Sequence, residues 1–404
     1  MIKKIICVIL TVLLCVCLAA CAIRDDDDNP TLDINENAAY EGEFYNKDNN
    51  DDEDSFLFTW MTYNEIRVTE ALKNKTAYEK YIGGLFENMK KIGVTDCFVQ
   101  VRPFADAMYP SEYFPVSVYA EKADNFDPFS VILSLAESYD ISIHAWINPY
   151  RISSKSLSQD SEYFLWQEEN NGDIISTSSG VYFNPCSLKA QTLILSGVEE
   201  LLSKYSIKGI HIDDYFYPDN FEDEDKTQYE AYLKSGGSME ISQWRRENVN
   251  SLVSAIYLKV KSYGEDKIFS VSPSGNIKKN FTQLYADVYL WCKGGYCDMI
   301  LPQIYFGFEN ETLPFEECLT QWLSITDREK VTLIPALALY KSGKEDIFAG
   351  KGKIEWINNG DIIARQVESV KEKNCKGFAL YSSSYINFSE KFTANELKNL
   401  QSVL

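Results

Sequence analysis

The sequence predicts an α/β chain folded as a (β/α)₈ TIM barrel, with long loops after strands 2, 3 and 4. Three observations carry this. Eight short β-rich runs recur between residues 56 and 382, amphipathic stretches of helical period separate them, and no glycine-rich dinucleotide loop follows the first run. Alternating strand and helix signals read as parallel βαβ units, and eight such units close a ring. Without the glycine-rich loop, an open doubly wound sheet is the weaker reading. The strands are taken in order as 56–62 (FLFTWMT), 94–102 (VTDCFVQVR), 141–148 (ISIHAWIN) and 207–213 (IKGIHID). They continue as 267–273 (KIFSVSP), 298–305 (DMILPQIY), 331–337 (VTLIPAL) and 375–382 (CKGFALYS). Each is rich in β-branched and aromatic residues and short enough for a buried strand. Helices are expected over 78–92, 129–139, 188–205, 244–263, 315–325 and 362–373, where apolar residues repeat at helical spacing. The predicted long loops, 103–125, 149–185 and 215–240, all follow strand C-termini, the face where this architecture places its sites.

The barrel is expected to occupy residues 55–404, and the segment before it has another character. Lys3 and Lys4 precede an apolar stretch over 5–18, and Leu18-Ala19-Ala20-Cys21 ends it with small residues and a cysteine. A secretory signal over 1–20 has this layout, and the run is too short for a permanent membrane helix. Ending on Cys21 resembles a lipoprotein signal, which implies lipidation of that thiol and membrane attachment outside the cytoplasm. Several acyl chains on one residue hold firmly, at about 0.8 kcal/mol per buried CH₂. Residues 21–54 then read as an acidic tether too polar to bury a core. Within 24–54 stand thirteen Asp or Glu against two basic residues, about half of the formal net charge of −21. So acidic a chain repels nucleic acid and anionic lipid surfaces, which excludes both as partners through charge. Six of the ten cysteines lie past Cys21: Cys97, Cys186, Cys292, Cys297, Cys318 and Cys375. The close pair Cys292 and Cys297 lacks the two-plus-two spacing of a zinc site, and a disulfide is compatible with an exported chain. Buried thiols are expected for Cys97 and Cys375, which sit in strand runs.

Alternation along each strand sorts side chains between lumen and helices. Ile210 and Ile212 share one face, which leaves Gly209, His211, Asp213 and Tyr215 for the lumen. Ile143, Ala145 and Ile147 likewise face out, so His144, Trp146 and Asn148 face in. The same parity turns Gln100, Arg102, Gln303 and Tyr305 inward. Both histidines of the chain are therefore expected in the lumen. A lumen filled for packing alone favours Val, Ile and Leu; polar upper layers point to a site.

The strings QVRPFADAMYPSEYFPVS, HAWINPYR, GIHIDDYFYP, WRRENVN, SPSG and PQIYF, in that order, resemble the glycosyl-hydrolase-like 10 family of bacterial envelope proteins. The match runs from about Phe56 to the C-terminus. It departs at Ser274, Ile277 and Phe306, where the family tends to carry Phe, Trp and Trp. The resemblance implies a glycoside hydrolase on a TIM barrel, with some members linked to peptidoglycan glycan strands. The fourth strand is also similar in rhythm to family 18 chitinases. Tyr215 stands where those enzymes carry their acid Glu, so their mechanism does not transfer.

Glycoside hydrolysis commonly needs two carboxyl groups, an acid for the leaving oxygen and a base or nucleophile opposite it. Asp213, at the end of the fourth strand, is the first candidate; Asp214 beside it and Asp106 in the second loop are the others. Glu309 is a weaker one. Adjacent acids repel, so one of a pair gains a raised pKa and suits the acid role; the sequence leaves open which. Arg102 has the donor fork to clamp a sugar carboxylate or hydroxyl. His144 and His211 suit hydrogen bonds to hydroxyls, or tuning of Asp213. Trp146, Tyr150, Tyr215 and Tyr305 offer flat faces for pyranose rings, with Asn148, Arg151 and Gln303 as polar neighbours. Arg245 and Arg246 are expected to pair with acidic loops. No cofactor or metal is called for: two histidines are too few for a metal-dependent hydrolase, which is one rival reading. The other rival is a lipid-anchored module that holds a glycan, polysaccharide or peptidoglycan, without cutting it.

Overall fold

The eight predicted runs become one parallel sheet. The computed structural model describes residues 56–404 apart from 170, 171 and 219. The expected signal at 1–20, the Cys21 lipidation site and the tether at 21–54 lie outside the described residues. Strands β1 (Phe56–Met61), β2 (Asp96–Arg102) and β3 (Ser142–Ile147) stand side by side. The loop after β3 carries three short strands of its own, β4 (Arg151–Ser153), β5 (Ile174–Thr177) and β6 (Gly180–Phe183), paired antiparallel with β6 in the middle. The main sheet resumes with β7 (Gly209–Ile212) beside β3, then β8 (Ile268–Val271) and β9 (Met299–Ile300).

The seventh run does not stay one strand. Pro335 has no N–H to give to a ladder, and it splits the run into β10 (Thr332–Leu333) and β11 (Ala336–Leu337). β10 pairs with β9, whereas β11 pairs with β12 (Gly377–Leu380), which pairs in turn with β1. Ile334 N donates to Ile300 O at 3.0 Å and Ala379 N donates to Pro335 O at 2.9 Å, so the broken run joins β9 to β12 and closes the ring. The (β/α)₈ barrel is thus the fold that the sequence predicted.

Helices follow the strands and start where the sequence supplies a cap. Asn74 accepts from Thr76 N ahead of Lys75–Lys91, and Asp127 accepts from Phe129 N ahead of Pro128–Ser138, with proline at the first helical position. Ser187 accepts from Ala190 N ahead of Leu188–Lys204. Two elements escape the periodicity. After β8 the helical layer is two short pieces, Ile277–Thr282 and Val288–Gly294, each under two full turns. The last helix, Lys391–Gln401, buries Thr393 and Glu396 along with Leu397 and Leu400, so half of its inner face is polar.

Two apolar cores result. The larger lies between sheet and helices and includes Val99, Ile147, Ile210, Ile212 and Trp291. The smaller fills the lower lumen with Phe58, Trp60, Phe98, Trp146, Met299 and Leu301. Each large side chain fully buried there contributes roughly 2–3 kcal/mol. Cys97 is buried as expected, whereas Cys375 is only partly so.

Candidate active site

Above the lumenal aromatics, at the C-terminal ends of the strands, opens a cavity of about 640 Å³. Its floor includes Trp60 from β1, Gln100 from β2 and Trp146 from β3; its acidic wall is Asp213 and Asp214, just past the end of β7. Asp213 is 4% exposed. Its Oδ2 accepts from Asn148 Nδ2 at 2.6 Å and from Trp146 Nε1 at 3.1 Å, while Tyr215 N approaches Oδ1 at 3.4 Å. Burial, and then the charge of Asp214, push the Asp213 carboxyl up to about 7 against the opposing hydrogen bond from Asn148. Arg151 sits in the same wall, its guanidinium 4.5 Å above the Phe104 ring and 4.7 Å from that of Tyr215. Burial, and then the charge of Asp213, raise the Tyr215 hydroxyl to about 12, so it stays protonated at neutral pH.

Of the residues read from the sequence, Asp213, Asp214, Trp146, Arg151, Tyr215, Gln303 and Tyr305 line this cavity. Asn148 is buried behind Asp213 and reaches the site through it. The others are elsewhere. Arg102 was expected inside by strict alternation, but the β2–β3 register slips between Gln100 and Arg102. Such a bulge inserts one residue and reverses the parity beyond it. Arg102 therefore pairs with the outward Ile147 and packs its guanidinium 3.8 Å from the Phe114 ring, against Gly197 of the helix Leu188–Lys204. Asp106 in the same loop holds Phe104 N at 3.3 Å and is not among the cavity-lining residues.

Parity was right for the histidines and silent about their depth. His144 sits at the lower end of the lumen, 3.1 Å from Asp96 at the start of β2. His211 is fully buried and lies one layer below Asp213. Its Nε2 accepts from Trp60 Nε1 at 3.0 Å, so its proton sits on Nδ1, facing Ser270 Oγ at 2.8 Å. Burial, then His144, drive its pKa well below the usual histidine value. Neither ring touches the cavity; His211 instead holds the floor residue Trp60. Tyr150 is fully buried in the outer core, because the chain turns at Pro149 into β4. Glu309 is not among the cavity-lining residues, and its backbone N–H donates to Glu355 Oε2 at 3.0 Å. Arg245 pairs with Asp225 and Asp223 as expected, while Arg246 lies 4.0 Å over the Phe281 ring.

Sequence reasoning missed the opposite wall. Tyr63 and Glu65 follow β1, Tyr340 follows β11, and Tyr381 and Tyr385 follow β12. Glu65 is 7% exposed and ties the two ends of this wall together. Its Oε2 accepts from Thr62 N at 2.7 Å, and its Oε1 accepts from Ser383 Oγ at 2.7 Å and Ser384 N at 2.5 Å. Tyr340 meets Tyr305 and Tyr381 edge to face and these two are tilted to each other, with ring centres 5.7–6.0 Å apart. The available signal was their position just past strand C-termini, the rule that picked out Asp213.

The chain is similar to known proteins in sequence and in fold. In sequence it is 31% identical over 299 residues to the glycosyl hydrolase YngK of Bacillus subtilis, covering 67% of this chain and 58% of that protein. The glycosyl hydrolase DigH of Escherichia coli K12 is 25% identical over 364 residues, 81% of each chain. The chain thus spans less than two thirds of the length of YngK. In fold, the glycoside hydrolase domain of PgaB (BpsB) from Bordetella bronchiseptica superposes with a TM-score of 0.57 at 13% identity, covering 86% of this chain and 98% of that one. A family 18 chitinase from Cycas revoluta gives 0.50 at 12% identity, covering 86% and 99%. The family model described as Glycosyl hydrolase-like 10 matches residues 59–349, and the chain belongs to that family.

Proposed function

We propose that the chain is a glycoside hydrolase of the cell envelope, acting on the glycan strands of peptidoglycan or a related envelope polysaccharide, with Asp213 and Asp214 as its acid–base pair. The observation that carries this reading is the Asp213 carboxyl, buried at the cavity wall, held by Trp146 and Asn148, and raised to about 7 beside a second carboxyl. A carboxyl that keeps its proton near neutrality suits protonation of a leaving glycosidic oxygen. Two N–H donors occupy Oδ2 against one long contact from Tyr215 N to Oδ1, so the proton is placed on Oδ1. As the bond from the anomeric carbon to the leaving oxygen breaks, that proton goes to the oxygen. The Asp214 carboxylate faces the positive charge developing on the ring, and water completes hydrolysis by giving its hydroxyl to the anomeric carbon and its other proton to Asp214 as the base. The tyrosines, Tyr215 above all, present flat apolar faces for pyranose rings over a floor of buried Trp60 and Trp146, and Arg151 offers donors for a carboxylate or hydroxyl. The names of YngK and DigH as glycosyl hydrolases support the reaction class. The leader supports a location: lipid attached at Cys21 on the outer face of the cell membrane, with residues 21–54 as spacer.

The test is incubation of residues 55–404 with purified peptidoglycan strands and, separately, with other envelope polysaccharides, followed by mass analysis of released fragments. New reducing ends in one of these sets are expected. Intact polymer in all of them, at enzyme concentrations that bind it, contradicts hydrolysis and favours a binding module.

A further inference from the structure

Behind Asp213 runs a chain of buried amides of which the acid–base reading uses only the last, Asn148. Gln100 is 3% exposed and Asn148 1% exposed. Tyr63 N donates to Gln100 Oε1 at 3.1 Å, Gln100 Nε2 donates to Asn148 Oδ1 at 2.7 Å, and Asn148 Nδ2 donates to Asp213 Oδ2 at 2.6 Å. Amide oxygens and nitrogens are ordinarily interchangeable in such networks. Here they are not, because the first donor is a backbone N–H, which cannot accept. It requires the oxygen of Gln100, which leaves only the nitrogen of Gln100 for Asn148. The oxygen of Asn148 is then taken, and only its nitrogen remains for Asp213. One backbone amide at the end of β1 thus dictates, across β2 and β3, that Asp213 meets a donor and not an acceptor. The bulge after Gln100 lets β2 keep this residue in the lumen while Arg102 turns outward.

We infer that Gln100 is a positioning residue, which fixes the Asn148 amide so that Asp213 is held by a donor on Oδ2 and carries its proton on Oδ1. The inference rests on Asp213 being the proton-bearing acid, and it adds a residue that touches neither Asp213 nor the bond cleaved. Its consequence is a sign. A donor favours the carboxylate, and an acceptor favours the acid. In Gln100→Glu the backbone N–H still finds an oxygen, but no N–H remains for Asn148 Oδ1. Asn148 then flips, gives its nitrogen to the new carboxylate and presents its oxygen to Asp213, which must keep a proton to bond with it. Gln100→Met, of similar length but without polar atoms, releases Asn148 to choose either orientation.

The experiment is a titration of aspartate side-chain carbons by NMR in protein labelled with carbon-13 at Asp, with Asp213→Asn assigning the resonance, and with the pH profile of kcat/KM beside it. With Asp214 and Arg151, the charged neighbours of Asp213, unchanged, the expected result is a raised Asp213 midpoint in Gln100→Met, where no charge is added, and a larger rise of about one pH unit or more in Gln100→Glu, where repulsion from the new carboxylate adds to the flip, with an alkaline limb of activity that follows. An Asp213 midpoint unmoved in the folded variants overturns the inference. The titration needs no turnover, so it separates the two claims: an inactive protein whose Asp213 midpoint responds to Gln100 refutes hydrolysis and leaves the positioning role standing. Should Gln100→Glu not fold, Gln100→Met carries the same test, and a midpoint unmoved there is equally fatal.

Discussion

Asp225→Ala removes the buried carboxylate that anchors the loop following β7, the loop whose first residues are Asp213 and Asp214. Asp225 is fully buried and takes Arg245 Nη2 at 2.6 Å and Nε at 3.0 Å, with the Tyr217 hydroxyl at 3.3 Å. Arg245, 3% exposed, keeps two side-chain partners after the change, Asp223 at 3.0 Å and the Tyr285 hydroxyl at 2.9 Å. Removing one member of a buried pair costs about 3–5 kcal/mol, because the other charge stays desolvated. The Asp223 side chain is 66% exposed, and exposed pairs return only about 0–1 kcal/mol. The net loss worked from these figures is about 3 kcal/mol of unfolding free energy. Asp225→Leu combined with Arg245→Met removes both charges and is expected to recover at least half of it. Urea unfolding of Asp225→Leu, Arg245→Met and the double variant closes a double-mutant cycle, and turnover reads the loop: kcat is expected to fall in Asp225→Ala more than KM changes. A loss below about 1 kcal/mol, or a cycle without coupling, refutes the claim that this pair holds the loop.

Three further outcomes are expected. Burial and Asp214 raise the folded-state pKa of Asp213 from an ordinary 3.8 to about 7. The folded protein therefore binds this proton more tightly than the unfolded chain, and stability is lost as pH rises from about 4 through about 7. Asp213→Asn should accordingly be more stable than the wild type in urea at pH 8 and equal to it at pH 4; an unchanged difference between the two pH values contradicts the assignment. Gly209→Ala would place a Cβ 1.8 Å from Ile268 O in the neighbouring strand, so β7 must move away from β8. A loss of about 3 kcal/mol or more in urea unfolding is expected, in the range of strained core substitutions, and wild-type stability would refute it. Cys21→Ala should release cleaved protein from the membrane fraction while leaving its unfolding curve unchanged; a cleaved, unlipidated form that still sediments with membranes would contradict the anchor.

The barrel was legible because each strand run is short, apolar and separated from the next by a helix-sized interval. Parity then placed Asp213 and Trp146 in the lumen, since β3 and β7 pair without a slip as far as Ile147 and Ile212. Arg102 shows where parity ends: one bulged residue after Gln100 turned a predicted sugar clamp into a buried outward side chain. His144 and His211 show a second limit. Alternation gives the face and not the height, and in a barrel only the top layer meets substrate, while the layers beneath serve Trp60 and Asp96. Tyr63 and Glu65 lie past the end of β1 in a turn, and Tyr340 and Tyr385 lie in three-residue 3₁₀ helices, all too short for a period to place them. The split at Pro335 was visible as a residue and unreadable as a consequence. A central strand cannot use proline as a donor, and only the closed ring shows that its carbonyl still serves Ala379.

The account stands most directly on one comparison: turnover of the susceptible glycan by wild type and by Asp213→Asn, with binding of the same glycan measured alongside. The amide keeps the shape, accepts from Trp146 and Asn148 through its oxygen and has no proton to transfer to a leaving group. The account predicts a fall in kcat by a factor on the order of a thousand or more, with a dissociation constant near that of wild type. Full turnover by folded Asp213→Asn that binds glycan normally would contradict it, and would move the chemistry away from the end of β7.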